Sequence, residues 1–207
     1  MNRWKVGILL FDDVEVLDFA GPFEVFAVTT AEQEQGETYS PFEVTTISED
    51  GRMVTARNGL KVMPDYSFES SPPYDLLVIP GGMGTRSLVK NKTVIDWIGN
   101  RFGEVQWMTS VCTGAFLLAE AGLLDGKCAT THWASIERMR DTYPAVKVEE
   151  RVKFVDEDRI VSSAGISAGI HMAFHMVVRL LGKEVAKETA RTMEYDIDLD
   201  YFESYIS

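Results

Sequence analysis

Cysteine is scarce in this chain. There are two among 207 residues, Cys112 and Cys128, and no Cys-x-x-Cys. That excludes a disulfide framework. No apolar run approaches the ~20 residues that a membrane span requires. Positive charge is also short: 20 Lys and Arg stand against 32 Asp and Glu, for a formal net charge of −12. A surface that acidic repels phosphate backbones and argues against nucleic-acid binding. Internal repeats and low-complexity segments are missing too. Met1-Asn2-Arg3-Trp4-Lys5 leads straight into a strand-like run with no small-residue cleavage site after it. The expectation is therefore no signal peptide and a cytoplasmic location. What remains is ordinary for a globular protein, with 45% hydrophobic and 25% charged residues. One domain over residues 1–207, with a sizeable core, is the expected organisation.

Strand and helix patterns alternate along the chain. Short apolar runs at residues 6–10, 42–47, 75–79 and 106–111 suit strands buried on both faces. Helical spacing marks residues 17–28, with Pro22 suited to a first turn, and residues 94–102, 134–143, 168–181 and 184–195. Residues 53–55 and 60–62 flank Arg57-Asn58-Gly59, a hairpin signal. Residues 128–130 form a short strand candidate. Residues 148–154 and 159–162 read as an antiparallel pair across Asp156-Glu157-Asp158, and residues 32–41 as a loop. Such alternation predicts an α/β fold with a mostly parallel sheet covered on both faces. Ligands in such folds bind at the carboxyl ends of the strands. Asp12-Asp13, Gly81-Gly82 and Cys112 all fall there.

Cys112 stands where a buried strand turns into the apolar helix Thr113-Gly114-Ala115-Phe116-Leu117-Leu118. At that junction a sulfur meets free N–H groups and the positive end of the helix dipole, which lowers a thiol's pKa and makes a nucleophile. The alternative is a buried cysteine that only packs. Gly81 and Gly82 follow a buried strand directly. With the N–H of Thr113 they could form an anion hole beside the sulfur, or simply a tight turn. Asp18 lies just after the first strand, where it can cap a helix or face the sulfur. In the second case the pair must share one proton, and the expected arrangement is a protonated Asp18 donating to the Cys112 thiolate. His132, in Thr130-Thr131-His132-Trp133, reads as a packed neighbour or pocket wall more readily than as a base for Cys112. His171 and His175 are one helical turn apart, but no third ligand surrounds them, so no metal site is assigned.

Taken together these segments resemble the class I glutamine-amidotransferase-like superfamily, in the branch of PfpI-type proteins and isonitrile hydratases. The matching stretches are Leu17-Asp18-Phe19-Ala20-Gly21-Pro22-Phe23-Glu24-Val25-Phe26, Ile79-Pro80-Gly81-Gly82, Ser110-Val111-Cys112-Thr113-Gly114-Ala115, Ala121-Gly122-Leu123-Leu124-Asp125-Gly126, Ala129-Thr130-Thr131-His132-Trp133 and Ala164-Gly165-Ile166-Ser167-Ala168-Gly169-Ile170. The resemblance implies a flavodoxin-like three-layer sandwich, a homodimer, and no metal or organic cofactor. It implies hydration of an isonitrile, a small-molecule substrate, to an N-substituted formamide. Cys112 would attack, Asp18 would protonate the carbon and Thr113 would orient Asp18 or a water. Trp133 and Ile166 would stand in an apolar wall. A glyoxalase or deglycase acting on reactive carbonyls, and a cysteine-based sensor without turnover, are the other readings. Thr113 stands where PfpI-type proteases carry histidine, which disfavours proteolysis. His171 stands where many relatives carry aspartate. Regulators of the AraC type continue into a DNA-binding domain, whereas this sequence ends at Ser207; the expectation is no direct DNA-binding role.

Overall fold

Seven of the short runs pair into one sheet. The computed structural model describes residues 3–33 and 36–200. The sheet strands are β1 (Trp4–Leu9), β2 (Phe42–Ser48), β3 (Tyr66–Ser67), β4 (Leu76–Ile79), β5 (Trp107–Val111), β6 (Phe154–Glu157) and β7 (Ile160–Ser163). Their order across the sheet is β6-β7-β5-β4-β1-β2-β3, and every neighbouring pair is parallel except β6 with β7. All four residues of β4 are buried, as a strand covered on both faces requires.

The longer helices are α1 (Val16–Val28), α2 (Lys92–Phe102), α3 (Gly114–Glu120), α4 (Ile136–Thr142), α5 (Ala168–Leu181) and α6 (Lys183–Thr192), with one single-turn helix at Thr85–Leu88. α1 packs against α5, β1, β2 and β4; α3 packs against β4, β5 and α2. The result is the expected three-layer α/β sandwich with a mostly parallel sheet. One continuous core runs through it, with Ile8, Leu77, Ile79, Met108 and Phe174 buried. Truncating Leu77 to alanine in the middle of the sheet is expected to cost about 2–5 kcal/mol, read as a lower urea midpoint with an unchanged slope.

Several local expectations need correction. Pro22 sits inside α1 rather than in its first turn, because the helix starts at Val16. The antiparallel partner of β7 is β6, with Phe154 opposite Ser163 and Glu157 opposite Ile160. Lys147–Val148 instead pairs in parallel with Cys128–Ala129. The acidic run looked like a turn, yet Asp156 lies in the strand. Its carboxylate is drawn inward by His175 Nε2 at 2.6 Å and Arg179 Nη1 at 2.9 Å. Within residues 32–41, Ala31–Glu32 pairs with Thr38–Tyr39, while residues 34 and 35 lie outside the described ones. The reading of the first two residues and the ending at Ser207 lie outside them as well. The hairpin around Arg57-Asn58-Gly59 forms as expected, with Asn58 in the left-handed region. Among the described residues no helix is long and apolar enough to cross a membrane.

Candidate active site

The carboxyl ends of β1, β4 and β5 bring Asp18, Gly81 and Cys112 together. Cys112 follows β5 with φ of 55°, a strained conformation for a residue with a side chain. The turn is fixed on both sides. The Cys112 N–H donates to the Ser163 carbonyl at 3.1 Å, and the Thr131 hydroxyl donates to the Cys112 carbonyl at 2.8 Å. So the backbone turns sharply and lifts the sulfur off the sheet end, at the N-terminus of α3.

Asp18 is fully buried, on the first turn of α1. The helix is capped by Glu15, whose side chain makes no cap hydrogen bond, and Asp18 is therefore not the N-cap. Asp18 Oδ2 accepts the Gly81 N–H at 3.0 Å. Oδ1 is buried with no hydrogen-bond partner among the described residues, and the Cys112 side chain is near enough to influence the carboxyl. Burial first, then the nearby Glu15 charge, pushes the Asp18 carboxyl up to about 7, against the Gly81 hydrogen bond and the Cys112 side chain. Burial and then the Asp18 charge push the Cys112 thiol far above its usual range, and the Thr113 N–H only partly opposes them.

One expectation about this pair needs correction. Seven-residue α3 does not lower the thiol's pKa, because burial outweighs the helix terminus. Both groups are raised above their ordinary values, so the pair disfavours carrying charge.

The expected anion hole is also not free. Gly81 N–H is spent on Asp18, and Gly82 N–H donates to Thr113 Oγ1 at 2.9 Å. The Thr113 hydroxyl in turn donates to the Gly82 carbonyl at 3.1 Å and accepts from Thr85 Oγ1. These contacts lock the β4 loop to the nucleophile turn. Gly81 is required by the close approach, since a Cβ there would lie 2.4 Å from the Thr113 nitrogen.

A cavity of about 330 Å³ opens over the sulfur. Gly82, Thr113, His132 and Ile166 line it together with Cys112. Trp133 does not: its side chain is 81% exposed, because the chain turns outward in a short 3-10 segment after His132. His132 Nδ1 accepts the Ala134 N–H at 3.2 Å, which leaves the ring's proton on Nε2. The ring thus stands in the wall of the cavity. The wall is not apolar either. Glu15, Arg57, Arg86 and Arg138 also line the cavity, and none was singled out from the sequence. They reach it from separate loops and helices, and no local motif marks them.

Gly165 packs closely behind His132 and the sulfur. A Cβ there would lie 2.2 Å from His132 Cδ2 and 3.1 Å from Cys112 Sγ. Gly165→Ala is expected to slow iodoacetamide labelling of Cys112 by about tenfold, since a misplaced wall of that size costs attack geometry. His171 and His175 do not converge. His175 binds Asp156, while His171 Nδ1 faces the Ser167 carbonyl at 3.5 Å. Among the described residues no group of His, Cys, Asp and Glu could hold a metal ion.

Residues 4–179 match the family model described as the DJ-1/PfpI family. The chain is 34% identical to isonitrile hydratase from Pseudomonas putida over 79% of its own length and 66% of that protein's. It is 31% identical to the HTH-type transcriptional regulator GbdR of Pseudomonas aeruginosa, over 79% of its length and 43% of the regulator's. The chain thus spans under two thirds of the length of each of these relatives. Its fold superposes on a THiJ/PfpI family protein from Pseudomonas syringae with a TM-score of 0.84 at 25% identity, covering 96% of this chain and 77% of that one.

Proposed function

The chain belongs to the DJ-1/PfpI family, and from that premise we propose that it is a cysteine-dependent isonitrile hydratase, converting a small isonitrile to an N-substituted formamide. The observation that carries the reading is the Asp18–Cys112 pair. A buried carboxyl raised to about 7 neighbours a buried thiol that opens onto a cavity, so the carboxyl can exchange a proton near neutral pH. The likeness to the Pseudomonas putida enzyme over 163 residues supports it further.

The reaction suits such a pair. An isonitrile carbon accepts a nucleophile and then needs a proton on the same carbon. As sulfur attacks, Asp18 takes the thiol proton and the C–S bond forms. Asp18 then returns that proton to the carbon, giving a thioimidate, N=CH–S. Water adds to this carbon, its protons pass to nitrogen and to sulfur, and the C–S bond breaks to release the formamide and the thiol. The Thr113 N–H steadies the sulfur while it carries charge. No cofactor or metal enters these steps. We place the protein in the cytoplasm, as a homodimer acting through one domain that spans the chain; sedimentation showing only monomer at micromolar concentration argues against the dimer.

The test is formamide formation from cyclohexyl isocyanide, followed by ultraviolet absorbance or proton NMR. One formamide per isocyanide consumed is the expected stoichiometry. No formamide, with consumption of methylglyoxal instead, would transfer the same cysteine to reactive-carbonyl chemistry. Turnover of neither would leave a sensor.

A further inference from the structure

The cavity over Cys112 carries more positive charge than the proposed chemistry uses. Three arginines line it in a protein whose formal net charge is −12. Arg57 is matched, with Nε 3.8 Å from a Glu15 carboxylate oxygen. Arg86 and Arg138 have no ion-pair partner among the described residues. Arg86 comes from the short helix Thr85–Leu88 behind the Gly81-Gly82 loop, and Arg138 from α4. Both reach the same cavity. Arg138 is half-buried, with its guanidinium 4.0 Å over the Phe116 ring. Burial, and then the Arg86 charge, lower its pKa. Like charges held together at the edge of a cavity are unfavourable alone, and an anion between them relieves the repulsion.

We infer that this cavity selects substrates carrying an anionic substituent, a carboxylate on the carbon that bears the isocyano group, which Arg86 and Arg138 hold while Cys112 attacks. The chemical class is an isocyano carboxylate in preference to a neutral isocyanide. The inference rests on the reading of the Cys112 cavity as the substrate site. Arg86 and Arg138 are binding residues in it, and Arg57 is not, because Glu15 already answers its charge.

The test uses two alkylating agents of similar size and opposite character, so that it does not depend on hydration. Iodoacetate and iodoacetamide are each reacted with the intact protein at low salt, and modification is read on the Cys112 peptide by mass spectrometry. The rate ratio of iodoacetate to iodoacetamide is expected to exceed that of a small neutral thiol by about tenfold, and to fall toward it at high salt. Arg86→Gln with Arg138→Gln should collapse the ratio, whereas Arg86→Lys with Arg138→Lys, which keeps the charge, should retain most of it. The ratio within each variant cancels general loss of reactivity. A wild-type ratio equal to that of the small thiol, or one that the glutamine pair leaves unchanged, overturns the inference. In parallel, isocyanoacetate is compared with its ethyl ester as substrate. Hydration of neither, with the alkylation preference intact, removes the hydratase reading and leaves the anion site standing. Hydration of the ester at a higher kcat/KM than the acid counts against the anion site and leaves the hydratase reading in place.

Discussion

Replacing Cys112 by alanine is expected to reduce formamide formation by on the order of a thousandfold or more, with the fold retained. Cys112 is the one thiol among the described residues lining the cavity, and Thr113 beside it already has its hydroxyl engaged with Gly82 and Thr85. Cys128 cannot substitute, since it lies in the short strand Cys128–Ala129 outside that cavity. Alanine keeps the Cβ that cysteine already carries at φ of 55°, so the substitution adds no backbone strain. Rapid quenching of the wild-type enzyme with an isocyanide should reveal a mass increase on the Cys112 peptide equal to the substrate. Turnover that persists in the alanine variant would refute covalent catalysis.

Asp18→Asn is expected to do two opposite things. It should lower turnover by at least about a hundredfold, because an amide neither takes the thiol proton nor returns it to carbon. It should also stabilise the protein at alkaline pH. The sign follows from the direction of the shift. The carboxyl is raised from 3.8 to about 7 on folding, so the stability it allows is fully present below pH 3.8. That stability is lost as pH rises toward 7, where the folded protein must hold a buried carboxylate. Asparagine carries no such penalty. The difference in melting temperature between Asp18→Asn and wild type should therefore grow between pH 4 and pH 7 and level off above. In the wild type, kcat/KM should rise with pH through the same window, since Asp18 must be ionised to accept the proton. Asp18→Glu keeps the acid but moves it by one methylene, and should be impaired less than asparagine. Wild-type turnover in Asp18→Asn would end the role of Asp18 as proton carrier. A pH-independent stability difference would show that the carboxyl does not titrate in the folded state.

The expected low-pKa thiolate is instructive. From sequence, Cys112 stood at a helix terminus. In the structure both Cys112 and Asp18 are shielded from water. The weak field of a seven-residue helix does not compensate a sulfur for burial, and burial raises Asp18 despite the Gly81 N–H. Both shifts are a balance of desolvation and hydrogen bonding, and neither can be read from residue order.

By itself the sequence determined the class of fold, because short apolar runs alternating with helical periodicity have one economical solution: a parallel sheet covered on both faces. It also determined where the chemistry gathers, since Asp18, Gly81 and Cys112 each follow a buried strand, and parallel strands put those ends on one edge. Small residues around Cys112 and at Gly81 marked the close approaches. The tertiary structure alone decided how the cavity is charged. Arg57, Arg86 and Arg138 are separated along the chain, on a hairpin, a short helix and α4, and meet only when the layers pack. It decided the fate of the Gly81 and Gly82 N–H groups, which bind Asp18 and Thr113 instead of waiting for a ligand. And it turned Trp133 outward. Local pattern fixes which way a chain runs; which groups face each other across the end of a sheet depends on the distances between segments that only packing sets.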